Sequence, residues 1–293
     1  MIFINELVLP SDMAEINFIR SERRTCFNTM YPFKIFPQKQ LREIEFSDIT
    51  IFYGGNGSGK TTLLNILAQK TEAIRHSEFN NSPFFEPYIK MCKTEFSESP
   101  KLLHFLSSDD VFDYVLNIRY LNDGVDDRRE QLFKGYANIH RKAVTDDEFT
   151  KLHGLEDYDR WKDVSDALSK NVSQSKFVKE RLSKNIDMFS NGETAMRYFT
   201  EHIDRDAVYL LDEPENSLSI ELQMQLADYI CSSARYYNCQ FVIATHSPVL
   251  LSMRDALVYN LDTKPVKTCE WTKLDNVRKY FEFFMSHKDE FEA

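Results

Sequence analysis

A glycine-rich stretch that ends in a lysine and a threonine has the order Gly54-x-x-x-x-Gly59-Lys60-Thr61. Glycines let backbone N–H groups converge on an anion because no Cβ is in the way. A helix that begins here points its positive dipole end at the same anion. In this pattern the lysine reaches the β- and γ-phosphates of a nucleotide, and the threonine hydroxyl ligates Mg²⁺. The predicted triphosphate contacts are Gly54, Asn56, Gly57, Ser58, Gly59, Lys60, Thr61 and Thr62.

The flanking residues favour this interpretation over an ordinary glycine-rich turn. Ile49–Tyr53 is an apolar, β-branched run that predicts a buried strand, and residues 60–75 predict a helix. Strand, loop and helix in this order are the context that the phosphate-binding pattern requires. We therefore expect the chain to bind a nucleoside triphosphate.

A second apolar run, Ala207–Leu211, leads into the adjacent acids Asp212 and Glu213. Ligands of open α/β sheets bind at the carboxyl ends of the strands. Asp212 is thus expected to hold Mg²⁺, directly or through water. Glu213 is expected to orient or deprotonate the attacking water, an effect worth roughly 10²–10⁴-fold in rate. The alternative is that the two acids only cap the turn that follows.

Two further motifs carry polar groups suited to phosphate chemistry. His246 ends the apolar run Gln240–His246, which predicts a γ-phosphate contact, although a lone histidine is often structural. Ser190-Asn-Gly192-Glu193 is a capping box at a helix start. Such a start also offers N–H groups to an anion, and in a dimer that anion could be the γ-phosphate held by the other subunit.

The elements that must position these residues alternate between strands and helices. Helices are predicted at 109–121, 218–235 and 273–291, a further strand at 256–261, and an antiparallel β lead-in at 2–9 and 44–53. Residues 76–99 predict mostly loop, and residues 122–186 are charged and broadly helical. The predicted fold is an α/β P-loop NTPase with a mostly parallel sheet. Its core comprises 1–75 and 187–293, and a mainly helical lobe, 76–186, is inserted.

Composition narrows the classes of function. The chain has 293 residues, 42% of them hydrophobic, a net charge of −10 and five scattered cysteines. No apolar run approaches the roughly 18–20 residues of a membrane span, so no membrane insertion is expected. The odd cysteine count without a Cys-x-x-Cys pair favours reduced thiols in the cytoplasm. The negative charge disfavours a protein that coats nucleic acid non-specifically.

Taken together, the motifs resemble the ATP-binding-cassette (ABC) superfamily. The P-loop, Ser190-x-Gly192-Glu193, Asp212-Glu-Pro and His246 occur in the order of that superfamily. Two segments resemble the corresponding motifs of soluble ATPases of the SMC, RecF and OLD groups, including Septu- and retron-type anti-phage ATPases. They are Asp212-Glu-Pro-Glu-Asn-Ser-Leu-Ser219 and Gln240–Pro248.

The resemblance implies a role for each matching residue. Lys60 and Thr61 would contact phosphate and Mg²⁺, Asp212 would hold Mg²⁺, and Glu213 would be the catalytic acid. His246 would sense the γ-phosphate, while Ser190 and Gly192 would act on the ATP of the other subunit in a head-to-tail dimer. The sequence departs from the superfamily in two places. It has no clear Q-loop glutamine, where Ser108 or Asp109 could substitute, and it has Ser219 where many relatives have aspartate.

The leading hypothesis is a soluble ABC-type ATPase whose homodimer, closed on ATP and Mg²⁺, controls a separate effector protein. That effector would be a nuclease or another nucleic-acid-linked protein in phage defence or DNA maintenance. The alternatives are a non-catalytic, ATP-gated scaffold and the nucleotide-binding subunit of a transporter.

Two features leave their interpretation open. Basic runs at 128–142 and 176–184 could contact DNA, RNA or a partner, or could be solvated helix faces. Residues 20–37, rich in arginine and aromatics, could stack on an adenine ring or pack over the sheet edge.

Overall fold

A computed structural model of the chain describes residues 2–24, 26–145, 158–168, 173–182 and 190–291. Within them the strands are β1 (Ile4–Val8), β2 (Glu43–Glu45), β3 (Ile49–Tyr53), β4 (Lys93–Phe96), β5 (Leu102–Ser107), β6 (Ala207–Asp212), β7 (Gln240–Ala244), β8 (Leu257–Asn260) and β9 (Lys267–Thr268). The helices there are α1 (Asp12–Ser21), α2 (Lys60–Lys70), α3 (Phe85–Met91), α4 (Ser108–Thr145), α5 (Tyr158–Leu168), α6 (Gln174–Arg181), α7 (Asn191–His202), α8 (Ile220–Tyr236), α9 (Pro248–Leu251), α10 (Asp275–Ser286) and α11 (Lys288–Phe291).

The larger sheet has the strand order β5-β6-β7-β3-β8-β9 within the described residues. All its pairs are parallel except β8 with β9. Every residue of β3 and of β7 is buried, as expected for central strands that are covered on both faces. Buried parallel strands appear in a sequence as continuous apolar runs, as β3 and β7 do. The predicted mostly parallel α/β fold is confirmed.

A smaller antiparallel sheet joins β1 to β2 and to β4. The buried side chain of Gln240 helps to connect it to the larger sheet. The amide oxygen of Gln240 accepts hydrogen bonds from the backbone N–H groups of Phe3 (3.0 Å) and Ile4 (2.8 Å). Its amide nitrogen donates to the carbonyl oxygens of Ile4 (2.9 Å) and Ser47 (3.1 Å). The antiparallel lead-in is therefore tied to the start of β7.

The stretch predicted to be mostly loop holds regular structure. Between residues 76 and 99 lie α3 and β4. Pro87 falls in the first turn of α3, where a missing N–H costs no helical hydrogen bond, so proline does not exclude a helix there. The strand β4 forms because β1 offers it an unpaired edge, which the local sequence does not reveal.

The chain divides into two compact units. One comprises Met1–Phe112 and Ser190–Ala293, and the other comprises Asp113–Phe189. The first unit includes β5, whereas the sequence-based division placed residues 76–112 in the inserted lobe. The reason is pairing, because β5 lies beside β6 in parallel register, with Ser107 opposite Asp212.

The described part of the second unit is helical, in agreement with the predicted helical lobe. Its helices α5 and α6 enclose a small apolar cluster of Ala167, Phe177 and Val178, against which side chains of α4 pack. Arg181 forms ion pairs with Asp163 (3.0 Å) and Asp166 (2.6 Å). The helical prediction over 122–186 also covers residues that lie outside the described part of the chain.

Candidate active site

The loop between β3 and α2 forms a cradle whose backbone depends on its glycines. Gly57 and Gly59 have φ values of +75° and +99°, a region that side-chain-bearing residues rarely adopt. A Cβ on Gly54 would lie 2.5 Å from the hydroxyl oxygen of Ser58. The glycines of the motif are thus required by backbone conformation and by close approach, and the loop with Glu213 lines a cavity of about 260 Å³.

Lys60 begins α2 and is buried at 5% exposure. Its ammonium group donates to the carbonyl oxygen of Gly54 at 2.8 Å and lies 3.6 Å from Oε1 of Glu213. A buried ammonium needs such partners, because an unpaired charge away from water is costly. The lysine is therefore held between the P-loop and the tip of β6.

Asp212 lies at the end of β6, facing the start of α2. The hydroxyl of Thr61 donates to Oδ1 of Asp212 at 3.0 Å. Burial raises the pKa of the Asp212 carboxyl to about 6; the Thr61 hydrogen bond opposes this shift, the Glu213 charge adds to it and Lys60 opposes it. A bound cation would favour the charged carboxylate at this position.

Glu213 and His246 meet at the tips of neighbouring strands. The backbone N–H of Glu213 donates to the carbonyl of Ala244 at 2.8 Å, which ties the turn after β6 to the end of β7. Nδ1 of the half-exposed His246 lies 3.8 Å from Oε1 of Glu213. Glu213 itself has a φ of +48°, an uncommon conformation for a residue with a side chain. Oε1 of Glu213 thus lies within 3.6 Å of the Lys60 ammonium and 3.8 Å of the His246 ring.

The donor set fits a magnesium nucleotide. Thr61 and Asp212 offer hydroxyl and carboxylate oxygens, the hard ligands that Mg²⁺ prefers when phosphates supply the remainder. Within the described residues there is no group of three or more His, Cys, Asp and Glu side chains that could hold a metal by itself. The hydroxyl of Ser58 is buried without a hydrogen-bond partner there, so it is available to a ligand of the loop.

Ser190 and Gly192 lie at the start of α7. Ser190 and Glu193 form the predicted capping box, which is confirmed. A Cβ on Gly192 would meet the Leu222 side chain at 2.7 Å and the Ser217 carbonyl oxygen at 3.3 Å. Neither Ser190 nor Gly192 has a hydrogen bond or ion pair to the P-loop within the described part of the chain. The role of Ser190 and Gly192 at a nucleotide stays a prediction.

The arginine- and aromatic-rich segment 20–37 reaches the helix after the P-loop. The Tyr31 hydroxyl donates to Oγ1 of Thr62 at 3.1 Å. Side-chain atoms of Ile35 and Phe36 lie within 3.5 Å of where a Cβ on Gly59 would be. The segment packs beside the P-loop, and Ile35 and Phe36 also pack with the core, while adenine stacking stays a prediction.

Two acids near the site were not singled out from the sequence. Asp262, just after β8, accepts a hydrogen bond at 2.9 Å from the backbone N–H of Gly55. Glu215 accepts one at 3.0 Å from the backbone N–H of His246. For Asp262 no local signal exists, because its partner lies 207 positions away in the chain. For Glu215 the only signal was its place in Asp-Glu-Pro-Glu.

Ser108 and Asp109, the two residues that could substitute for the Q-loop glutamine, lie just after β5. Ser107 pairs in register with Asp212, so Ser108 and Asp109 follow immediately at the strand tips.

In the second unit, basic side chains of the two runs form local ion pairs. Lys134 pairs with Glu130 at 2.7 Å, and Arg181 pairs with two aspartates. These pairs favour solvated helix faces over a nucleic-acid surface at those positions, and Lys184 lies outside the described residues.

The middle of the chain matches a known protein family. The family described as “AAA domain, putative AbiEii toxin, Type IV TA system” matches residues 105–252. The matched range includes β6 and β7 together with Asp212, Glu213 and His246 at or just after their ends, while the P-loop precedes it.

Similar proteins include an ATP-binding protein and two SMC head domains. The “Tungstate uptake system ATP-binding protein TupC” of Campylobacter jejuni is 22% identical over 264 residues, which cover 82% of this chain; the chain spans 66% of that relative's length. A Pyrococcus furiosus Smc head domain bound to the C-terminal domain of ScpA has a TM-score of 0.42 at 13% identity, covering 96% of this chain and all of that one. The SMC head domain of Thermotoga maritima has a TM-score of 0.36 at 12% identity, covering 92% and 98%.

Proposed function

Because the chain belongs to the family of AAA domains described with the putative AbiEii toxin, we propose that it binds and hydrolyses Mg-ATP. The resemblance to ABC-superfamily ATPases of the SMC and RecF type, inferred from the motifs, is confirmed by this match.

One observation carries the proposal. Thr61 contacts Asp212 at 3.0 Å, Lys60 approaches Glu213 at 3.6 Å, and Glu213 approaches His246 at 3.8 Å. These residues come from three separate stretches of the chain and meet at the carboxyl ends of three parallel strands. A cation, a hydroxyl–carboxylate pair and a second carboxylate in one place are the set that phosphoryl transfer to water uses.

Each residue has a defined task in this reaction. Lys60 and the loop N–H groups bind the phosphates, and Thr61 with Asp212 would hold Mg²⁺, which supplies neutralisation of phosphate charge. Glu213 accepts a proton from water as the water oxygen bonds to the γ-phosphorus. The bond between that phosphorus and the bridging oxygen breaks, and ADP departs with the electron pair. His246 contacts the γ-phosphate from the neighbouring strand tip.

The proposal includes a homodimer that closes on ATP. Ser190 and Gly192 have no bond to the P-loop of their own chain within the described residues, yet they begin a helix whose N–H groups suit an anion. A head-to-tail partner would bring them to the γ-phosphate of the other subunit. ATP then bridges the two chains, and its hydrolysis releases them.

The nucleotide-gated dimer controls a separate effector protein, a nuclease or another nucleic-acid-linked protein in phage defence or DNA maintenance. Supporting features are the net charge of −10, which disfavours direct coating of nucleic acid, and the local pairing of basic side chains in the second unit. Stimulation of turnover by DNA that fades with salt would indicate a direct nucleic-acid contact instead.

The test is the Glu213→Gln chain. It should bind ATP, accumulate as an ATP-bound dimer in sedimentation analysis, and hydrolyse ATP at least about a hundredfold more slowly than the parent. Glu282→Gln, which removes an equal charge from exposed α10, is the matched control and should behave as the parent. Equal turnover in Glu213→Gln and the parent would contradict the mechanism. Negligible parent turnover with ATP-driven assembly would favour a scaffold.

The TupC similarity favours a second candidate, the ATP-binding subunit of an uptake system. None of the described helices is sufficiently long and apolar for a bilayer crossing. Co-purification with a membrane protein, with turnover stimulated by it, would support this candidate over the effector.

A further inference from the structure

Glu215 is a buried acid that follows Glu213 by two positions. It is 6% exposed, and its Oε1 accepts hydrogen bonds from the Thr245 hydroxyl at 2.6 Å and from the His246 N–H at 3.0 Å. Its Oε2 is buried with no hydrogen-bond partner in the described chain. A carboxylate is costly to bury with one oxygen unsatisfied, so its position is not explained by packing alone.

Two carboxylates face one atom of the His246 ring. Nδ1 of His246 lies 3.5 Å from Oε1 of Glu215 and 3.8 Å from Oε1 of Glu213. Glu215 therefore touches both the backbone and the ring side of His246, whereas Glu213 approaches only the ring. Glu215 is the buried member of this pair, since the Glu213 side chain is 28% exposed and the Glu215 side chain 5%.

The turn that contains Glu215 is strained on both sides. Glu213 has a φ of +48° and Ser217 a φ of +74°, and neither is a glycine. Such conformations persist only where the surrounding structure holds them. Between them, the bonds of Glu215 attach the turn to residues 245 and 246 at the end of β7.

A chain of hydrogen bonds extends this attachment. The Thr245 hydroxyl accepts from the Ser247 N–H at 3.0 Å, and the Ser247 hydroxyl donates to the Gln223 amide oxygen at 2.6 Å. The Gln223 amide nitrogen donates to the carbonyl of Leu218 at 3.0 Å. The turn after Glu213 and the loop that carries His246 are thus connected at both ends.

We propose that Glu215 is a positioning residue that sets His246 beside Glu213 for ATP hydrolysis. It acts through His246 and does not contact the nucleotide. The inference rests on the proposed ATPase function, and it adds a residue whose loss should slow turnover while leaving ATP binding intact.

The experiment measures steady-state ATP turnover of Glu215 variants in the full chain. Glu215→Ala should lower kcat at least about tenfold, because misplacement of a catalytic group by about 1 Å can cost 10²-fold, with KM for ATP within about threefold of the parent. Glu215→Gln keeps the acceptor oxygen and should restore kcat to within about threefold of the parent. Ile230→Ala, a buried cavity mutation on α8, controls for general destabilisation and should leave kcat unchanged at a temperature below its melting.

A double-mutant cycle with His246→Ala identifies the route. If Glu215 acts through His246, Glu215→Ala should reduce kcat by less than about twofold once His246 is alanine. Additive losses would overturn the proposal, as would parent-like kcat in Glu215→Ala. Should Glu215→Ala fail to fold, Glu215→Asp withdraws the carboxylate by one methylene and takes its place in the cycle; parent-like kcat there overturns the proposal too.

The two hypotheses fail in distinguishable ways. A parent that hydrolyses ATP and a Glu213→Gln chain that does not would support the proposed function whatever the Glu215 variants do. A parent without ATP turnover ends the proposed function and this role together.

Discussion

The hydroxyl of Thr61 donates a hydrogen bond to Oδ1 of Asp212 at 3.0 Å, across 151 positions of the chain. The bond connects the first turn of α2 to the tip of β6. It places the two predicted Mg²⁺ ligands side by side, although nothing in either stretch of sequence indicates that the two are in contact. The relationship leads directly to a prediction about metal dependence.

Asp212→Asn should raise the Mg²⁺ concentration for half-maximal turnover at least about tenfold, because the amide is a weaker ligand than the carboxylate. A Mg²⁺ titration of ATP hydrolysis measures this. Without metal, the variant should melt no lower than the parent, since a neutral amide avoids the cost of burying a charge. Asp228→Asn on the exposed side of α8 is the control. An unchanged Mg²⁺ requirement would show that Asp212 is not a ligand.

Mixing two inactive variants tests whether the active site is shared between subunits. Lys60→Ala removes the phosphate cation of its own chain, and Gly192→Glu blocks the site that its chain offers to the partner. In a head-to-tail dimer, each heterodimer retains one intact site, so an equal mixture should regain about a quarter of parent turnover.

The control for this mixture is Lys60→Ala with Glu213→Gln. Both residues belong to the same half-site, 3.6 Å apart, so their heterodimer has no intact site and should stay inactive. Recovery in both mixtures, or in neither, would be inconsistent with the trans role of Gly192. ATP turnover and sedimentation of each mixture give the readout.

The buried Glu15 carboxyl should make the free energy of unfolding depend on pH. Burial raises the pKa of its carboxyl above the ordinary value, against the opposing hydrogen bond at 2.7 Å from the Lys34 N–H. The folded chain therefore holds this proton to higher pH than the unfolded chain. Its stabilising contribution is complete below about pH 4.5 and is lost as pH rises through the raised folded pKa.

Glu15→Gln should consequently be more stable than the parent at pH 7–8, and the difference should shrink towards pH 4. Urea unfolding over this range measures it. Glu22→Gln should have the opposite effect and be less stable than the parent at pH 7–8. Hydrogen bonds from Arg24 lower the pKa of Glu22 to about 2, so its charged form stabilises the folded chain at that pH. A Glu15→Gln effect that is independent of pH would contradict the burial of a charge at this position.

Gln240 should be the most sensitive polar residue of the sheet junction. Its side chain satisfies two N–H groups and two carbonyls of the lead-in strand and the loop before β3. Gln240→Ala should lower the free energy of unfolding by about 3 kcal/mol or more, because each unsatisfied buried group costs about 1–3 kcal/mol. Gln69→Ala, on the exposed side of α2, should change it by less than about 0.5 kcal/mol. Chemical denaturation of both variants tests this.

The predictable part of the molecule is the part with short-range signals. The P-loop is identified by letters within eight positions, and β3, β6 and β7 are identified as continuous apolar runs. The capping box at Ser190 and Glu193 is a local motif and was confirmed. By contrast, no local pattern indicates β5, because its membership of the sheet depends on pairing with β6 about a hundred residues later.

The sequence by itself determined the P-loop pattern, the fold class and the candidate acids. These features are visible locally, because backbone conformation and strand burial depend on neighbouring residues. Only the tertiary structure decided that Thr61 meets Asp212, that Asp262 binds the N–H of Gly55, and that Gln240 bridges two sheets. It also decided that Glu215 holds His246. The physical reason is that these contacts join residues separated by 31 to 237 positions. The partner of a buried polar group is chosen by the packing of the whole chain, and no local pattern specifies it.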